Sequence, residues 1–260
     1  MAADRACGVS RSLRDPLVSV QVALAVVLGI GATLMLRSLW NLQHVDPGFT
    51  PANVLTFRLQ TTSKYRALTN GLPYLERMRE RVAAIPSVVE VGFAGHLLMS
   101  GYSWTTSAHR ADRPLAPGTQ APTVGWRFVH GDYFRTLRIP LESGRPFSNA
   151  DVSKSAQVAI VNETLAPQYF DDPSAAVRQR LIVTSGRSGA DEPLEIVGVV
   201  GDVRHRSLDQ PPMPELFRPL TQTFMFPMAM VARTLGPPEQ IAAAVRQAAF
   251  EIDPCRPRAW

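Results

Sequence analysis

The stretch "LTNGLPYLERMRERVAAIPSVVEVGFAG", Leu68–Gly95, carries two periodicities in succession. Leu72, Leu75, Met78 and Val82 recur at three- and four-residue spacing with charges between them, the signature of one apolar helix face. Pro86 ends that helix, because proline has no N–H for a further turn. "SVVEVGFAGHLL" then reads as a strand rich in β-branched residues. Upstream, "VLTFRLQ", Val54–Gln60, alternates like a strand. The three segments make a β-α-β unit.

Ahead of this unit lies "LVSVQVALAVVLGIGATLML", Leu17–Leu36, without a charge and with Gln21 as its one strongly polar side chain. Twenty residues at helical rise cover about 30 Å, the thickness of a bilayer's hydrocarbon core. A transmembrane helix over residues 17–37 is expected. Arg5, Arg11 and Arg14 precede it and only Arg37 follows closely, so the N-terminus is expected in the cytoplasm and the rest outside. Trp40 suits an interfacial anchor. A cleaved signal peptide would have a shorter apolar run, roughly 7–15 residues, and a small-residue cleavage site, which "LRSLWNLQ" does not offer. Ala25, Gly29 and Thr33 share a four-residue spacing. That fits close packing against another membrane helix, and equally the ordinary abundance of small residues in such helices.

The 260 residues are 45% hydrophobic and 19% charged, a globular composition for the remainder. Net charge is +5, spread without a basic stripe that would follow a phosphate backbone, which excludes a nucleic-acid reading. Arginine supplies nearly all the positive charge, with Lys64 and Lys154 the only lysines. Cys7 and Cys255 stand on opposite sides of the apolar segment, so no disulfide framework or cysteine-rich metal site is expected.

Further along, residues 99–123 read as a long loop, with room for a short hairpin. "TVGWRFVH" is a strand, "GDYFRTLRI" a short helical turn, "SGRPFSNAD" a loop and "AQVAIVN" a strand. Asn162 is placed to cap a helix over "ETLAPQYF", although Pro167 would sit awkwardly inside it. "QRLIVT" is a strand and "SGRSGADE" a flexible turn. "LEIVGVVGDV", "PELFRPL" and "PMAMVART" are strands. "PPEQIAAAVRQAAFEID" closes as an amphipathic helix with Ile241, Val245, Ala248 and Phe250 toward a core. The fold class is α+β. Two lobes are expected, the first built from both ends of the outer region.

Chemistry is sparse. There is no phosphate-binding GxxxxGK[ST] loop, no GxSxG elbow and no HExxH, and the five histidines are scattered. Asp202 and His205 in "GDVRHRSLDQ" could form an acid/base pair, but with no nucleophile beside them they read as a solvated turn after a buried strand. His130 and Asp132 in "VHGDYF" could be two metal ligands without a third, and read as loop residues. Arg145 reads as a loop brace rather than an anion site. No catalytic, cofactor-binding or metal residue is assigned, and no cofactor.

The order and spacing of these segments is specific. "VQVALAVVLGIGATLMLRSLWNLQHVDPGFTPANVLTFRL", "YLERMRERVAAIPSVVEVGFAG", "GDYFRTLRIPLESGRPFSNAD", "VAIVNETLAPQYF" and "LEIVGVVGDVRHRSLDQPPMPELFRPL" resemble bacterial ABC-transporter permeases of the MacB/FtsX type. The likeness is to the second half of duplicated orphan permeases and covers about residues 14–254. It implies a MacB-like periplasmic core domain: a Porter-type β-α-β lobe interrupted by a small α/β Sabre-like lobe, preceded by one transmembrane helix. It places a cytoplasmic N-terminus at 1–16, the span at 17–37 and an exit linker at 38–52. The Porter-like lobe takes 53–121 and 193–254, the Sabre-like insert 122–192, and an atypical tail 255–260. It also implies a bacterial inner-membrane location, partnership with the bilayer, a separate ABC ATPase, other permease helices and a periplasmic partner protein, and no catalysis by this chain. The chain departs from the family at Leu98, at His130-Gly131, at Pro167, and at "DPCRPRAW", where the family continues into three more membrane helices. That ending suggests a truncated permease. A single-span binding or sensor module, an anchored enzyme and the remnant of a frameshifted gene stay open as alternatives.

Overall fold

The computed structural model describes residues 8–59, 65, 68–101, 104–170, 172–184, 190–223 and 228–253. Cys7, Cys255, the closing tail and residues 185–189 of the expected flexible turn lie outside the described residues. The chain divides into two units, 1–46 and 47–260.

The first unit is one helix, α1 (Gly8–Gln43). Its apolar part, Pro16–Gln43, has a mean hydropathy of 2.2 and keeps its large apolar side chains exposed. This is the reverse of a soluble core helix, and its 28 residues cover about 42 Å, enough to cross a bilayer. The helix runs past the expected 17–37 because no breaker stands between Arg37 and Gln43. The Thr33 hydroxyl donates to the Gly29 carbonyl at 2.8 Å, so it is satisfied inside the helix.

Among the described residues the second unit has ten strands. In order they are β1 (Val54–Leu59), β2 (Val88–Ala94), β3 (Thr105–Arg110), β4 (Thr123–Gly131), β5 (Leu141–Gly144), β6 (Val158–Asn162), β7 (Arg180–Thr184), β8 (Asp191–Val200), β9 (Glu215–Pro219) and β10 (Met228–Thr234). Four helices join them: α2 (Leu68–Ala83), α3 (Tyr133–Leu137), α4 (Ala166–Tyr169) and α5 (Ala242–Ile252).

The strands β1-β10-β2-β4 form an open sheet, each neighbour antiparallel to the next. The β-α-β unit is therefore split: β10, from the far end of the chain, fills the place between β1 and β2. Helices α2 and α5 cover one face. Tyr74, Leu75, Met78 and Val82 meet Ile241, Val245 and Ala249 over Phe93, Met230 and Ala232. Alternation along the strands turns Ala94 and Val231 to the other face, against Tyr133 and Leu137 of α3.

The remaining pairings close on themselves. β4 pairs β3, β3 pairs β7, β7 pairs β8, β8 pairs β6, β6 pairs β9, and β9 returns parallel to β4. This ring of six strands has no free edge along its circuit. Its interior is filled by small and branched side chains, among them Ala108, Val124, Val161, Val183, Leu194, Ile196 and Leu216. Leu165, Ala166 and Phe170 around α4 join that core. The nine residues of β4 belong to both systems: its start pairs β3 and its end pairs β2.

Several expectations need correction. Thr105–Arg110, expected within a loop with room for a short hairpin, is β3, antiparallel to the start of β4; its polar "TTSAHR" hides a strand that buries only Ala108 fully. Ser143 and Gly144, expected as loop, end β5, a short edge strand on β8. Asp191 and Glu192, expected in a flexible turn, begin β8. The helix over "ETLAPQYF" is only the four residues of α4, and Pro167 lies in its first turn, where no N–H is needed. In α5 the buried face is Val245, Ala248 and Ala249, while Phe250 is 41% exposed. Phe250 lies off the 3.6-residue phase set by Val245 and Ala249.

A candidate coupling site at the exit segment

Residues 47–53 lead into β1, and the domain grips them at every step. Arg204 N donates to Pro47 O at 3.0 Å and Thr50 N to Leu137 O at 2.9 Å. Gly48 has φ +78, and a β-carbon there would overlap the backbone carbonyl of Asp202. Only glycine allows this approach. Arg233 of β10 donates from Nε to Thr136 O at 2.6 Å, from Nη1 to Ala52 O at 2.9 Å and from Nη2 to Thr50 O at 2.8 Å. Its side chain is buried, and all three of these acceptors are backbone carbonyls. Burial, and then the neighbouring Arg138 charge, pull its guanidinium below the ordinary arginine range. It stays a cation, since arginine does not deprotonate in proteins. Thr234 N completes the grip with a 2.9 Å bond to Asn53 O.

The turn that holds Pro47 and Gly48 continues into a buried polar node. Asp202 does not face His205. Its carboxylate accepts from Asn162 Nδ2 at 2.6 Å, Thr164 N at 2.9 Å and Thr164 Oγ1 at 2.6 Å, bracing the bend after β6. His205 is buried, and its Nδ1 lies 2.5 Å from Glu215 Oε2. The other Glu215 oxygen accepts from Arg127 Nε at 3.1 Å and Nη2 at 2.7 Å. The acid/base pair does not form, and the expected solvated turn is solvated in part: His205 is buried and Asp202 half-buried, while Arg206, Asp209 and Gln210 are exposed. Asn162, expected as a cap, accepts on Oδ1 from Leu165 N at 3.1 Å and from Glu215 N at 2.8 Å, joining β6 to β9. Glu215 also reaches α3: burial first, and then its charge, push the Tyr133 phenol well up.

Glu215 and Arg127 were not singled out from the sequence. The available signal was a charged residue at each end of an otherwise apolar strand, "ELFRP", all of it buried. Its second charge, Arg218, meets Glu192 in a two-pronged pair at 2.8 and 2.9 Å and bonds Gln157 at 2.6 Å. Arg145 braces its loop as expected, with bonds of 2.8 and 2.9 Å to Asp151. Arg145 in turn is the main cause holding the Asp151 carboxyl below its usual range. His130 and Asp132 do not converge on a metal position. His130 Nε2 is 2.8 Å from Glu76 Oε1, and Asp132 sits 3.6 Å from Arg135. Among the described residues no three His, Cys, Asp or Glu are placed to hold a metal ion.

The family profile described as the MacB-like periplasmic core domain matches residues 19–249. The chain belongs to this family. Among curated proteins none matches. Similar solved structures include the following three. The periplasmic region of MacB from Actinobacillus actinomycetemcomitans is 13% identical, with 79% of this chain and 84% of that one covered and a TM-score of 0.47. The extracellular domain of the noncanonic ABC-type transporter YknZ from Gram-positive bacteria is 14% identical, with 76% and 94% covered and a TM-score of 0.47. A domain of a putative permease protein from Porphyromonas gingivalis is 14% identical, with 70% and 69% covered and a TM-score of 0.43. The MacB-like domain in this chain is preceded by one helix apolar enough to span a membrane.

Proposed function

We propose that this MacB-like chain is the membrane-anchored permease part of an ABC-type export or mechanotransmission system. Its outer domain lies on the periplasmic side and carries motion between the anchor and a substrate or partner protein. A separate ABC ATPase and further membrane helices supply the driving step, and the chain catalyses nothing itself. The observation that carries this reading is the grip on residues 47–53. Arg233 ties them to the open sheet, while Arg204 and the Asp202 turn tie them to the ring. A segment bonded at several points to one compact unit passes displacement to it instead of absorbing it. The Porter-like lobe at 53–121 and 193–254 and the Sabre-like insert at 122–192 are the parts such motion would engage.

Two experiments test it. Purification of the full chain from native membranes in mild detergent should bring down an ABC ATPase subunit; a chain that comes down without one sinks the transport reading in favour of a binding module. In cells with a permeabilised outer membrane, an impermeant thiol reagent should label Cys255 and spare Cys7. Labelling of Cys7 alone would reverse the orientation.

A further inference from the structure

A cavity of about 410 Å³ opens where α2, the end of β4 and the loop after β5 meet. Its size lies within the range of small-molecule sites, about 300–1,000 Å³. Glu76 and Arg79 reach it from α2, His130 and Asp132 from β4 and the residue beyond it, and Phe147 and Asn149 from the loop.

Arg79 is positioned by a chain of contacts. Nearly buried His130 meets Glu76 Oε1 at 2.8 Å, and Arg79 Nε donates to Glu76 Oε2 at 2.7 Å. His130 first, and Arg79 after it, lower the Glu76 carboxyl to about 2, so it is a fixed anion in this arrangement. The Arg79 stem lies beside Gly131, where φ is +64 and the space of a missing β-carbon is 3.5 Å from Arg79 Cδ. With Nε held, the two terminal nitrogens of Arg79 keep four N–H groups that have no acceptor among the described residues. A planar fork of this kind matches a carboxylate.

The other polar groups complement that fork. The Asp132 carboxylate has no side-chain hydrogen bond among the described residues; Arg135 stands 3.6 Å away and the Arg79 charge also acts on it, so its oxygens remain available to a ligand cation. The Asn149 amide has no hydrogen-bond partner among the described residues. Phe147 supplies an apolar wall that packs toward Phe134. Carboxylates at Glu76 and Asp132 oppose a second negative charge, which disfavours phosphate and dicarboxylates.

We propose that this cavity binds a free α-amino acid, its carboxylate on the Arg79 fork, its ammonium on Asp132 and its side chain toward Phe147. The proposal is independent of the transmission reading: a bare binding module could hold the same site. The test is calorimetric titration of the full chain in detergent with L-leucine, L-alanine and L-glutamine, and with acetate and glucose as probes lacking one or both charges. At least one amino acid should bind with Kd at or below about 1 mM. Arg79→Gln and Asp132→Asn should each weaken it at least about tenfold, while Arg81→Gln, on the exposed part of α2, leaves it unchanged. Arg79→Lys, which keeps the charge beside Glu76 but not the fork, should also weaken it, and it serves if Arg79→Gln fails to fold. No heat from any of the three up to about 10 mM, equal binding by the folded variants, or acetate or glucose binding as tightly as the amino acid would each overturn the proposal.

Discussion

The open sheet and the strand ring solve the same problem in different ways. The open sheet leaves β1 as an edge and buries one face of its strands under α2 and α5 in an apolar core, keeping the buried charge of Arg233 for the grip on residues 50 and 52. The ring leaves no edge along its circuit, has only short helical turns against its core among the described residues, and spends buried positions on polar and charged groups: Arg127, Glu215, His205 and Arg218. Helix cover demands a long apolar stripe, and α2 provides one. Closure demands pairing between distant segments, and directional polar contacts specify such pairing where apolar packing alone would tolerate slippage. The two regions meet in β4.

The contrast can be broken at its strongest point. Glu215→Ala leaves Arg127 buried without its carboxylate and should cost about 3–5 kcal/mol. Hydrogen exchange should show the loss first in β4, β6 and β9, with α2 and α5 still protected. Uniform loss would mean the ring and the open sheet unfold as one. Leu75→Ala, in the apolar core, should cost about 2–5 kcal/mol and lower protection first in α2 and α5. A larger effect on the ring than on α5 would erase the distinction.

Arg233→Gln should cost about 2–3 kcal/mol, since three carbonyls lose a charged donor. Its diagnostic is local: faster amide exchange at Thr50 and Thr234, read by mass spectrometry, with the ring unchanged. The smallest effect is on pH. Burial first, and then the charges of Arg127 and Arg58, lower His96 to about 4 from an ordinary 6.5. The unfolded chain therefore binds the extra proton between those values, and stability falls as pH drops from 6.5 to 4. In urea melts His96→Gln should flatten that slope; an unchanged slope would place the titration elsewhere.

Much of this arrangement was legible in residue patterns. β-branched runs marked β2, β6 and β8, and the Leu72-to-Val82 spacing marked α2 and its buried face. Polar β3 was not legible, because a strand with one fully buried side chain has no alternation to detect. Neither was ring closure, which depends on β4 and β9 meeting across some ninety intervening positions, where no local period reports it. The exit grip was hidden for a related reason: Arg233 looks like any surface arginine until its three carbonyl acceptors, two of them near the start of the domain, are assembled around it.

The place of β10 has a consequence for how the chain is made. Leu59 pairs with Met228, and Ala94 with Ala229, so neither β1 nor β2 has its partner when it leaves the ribosome. Strand β4 can reach β2 early, but the gap beside β2 stays open until almost the entire domain has been synthesised. During that interval two apolar strands and the bare face of α2 lack their cover. A holding chaperone would be needed most for this stretch, and a stalled nascent chain ending before Met228 would be the species most prone to proteolysis.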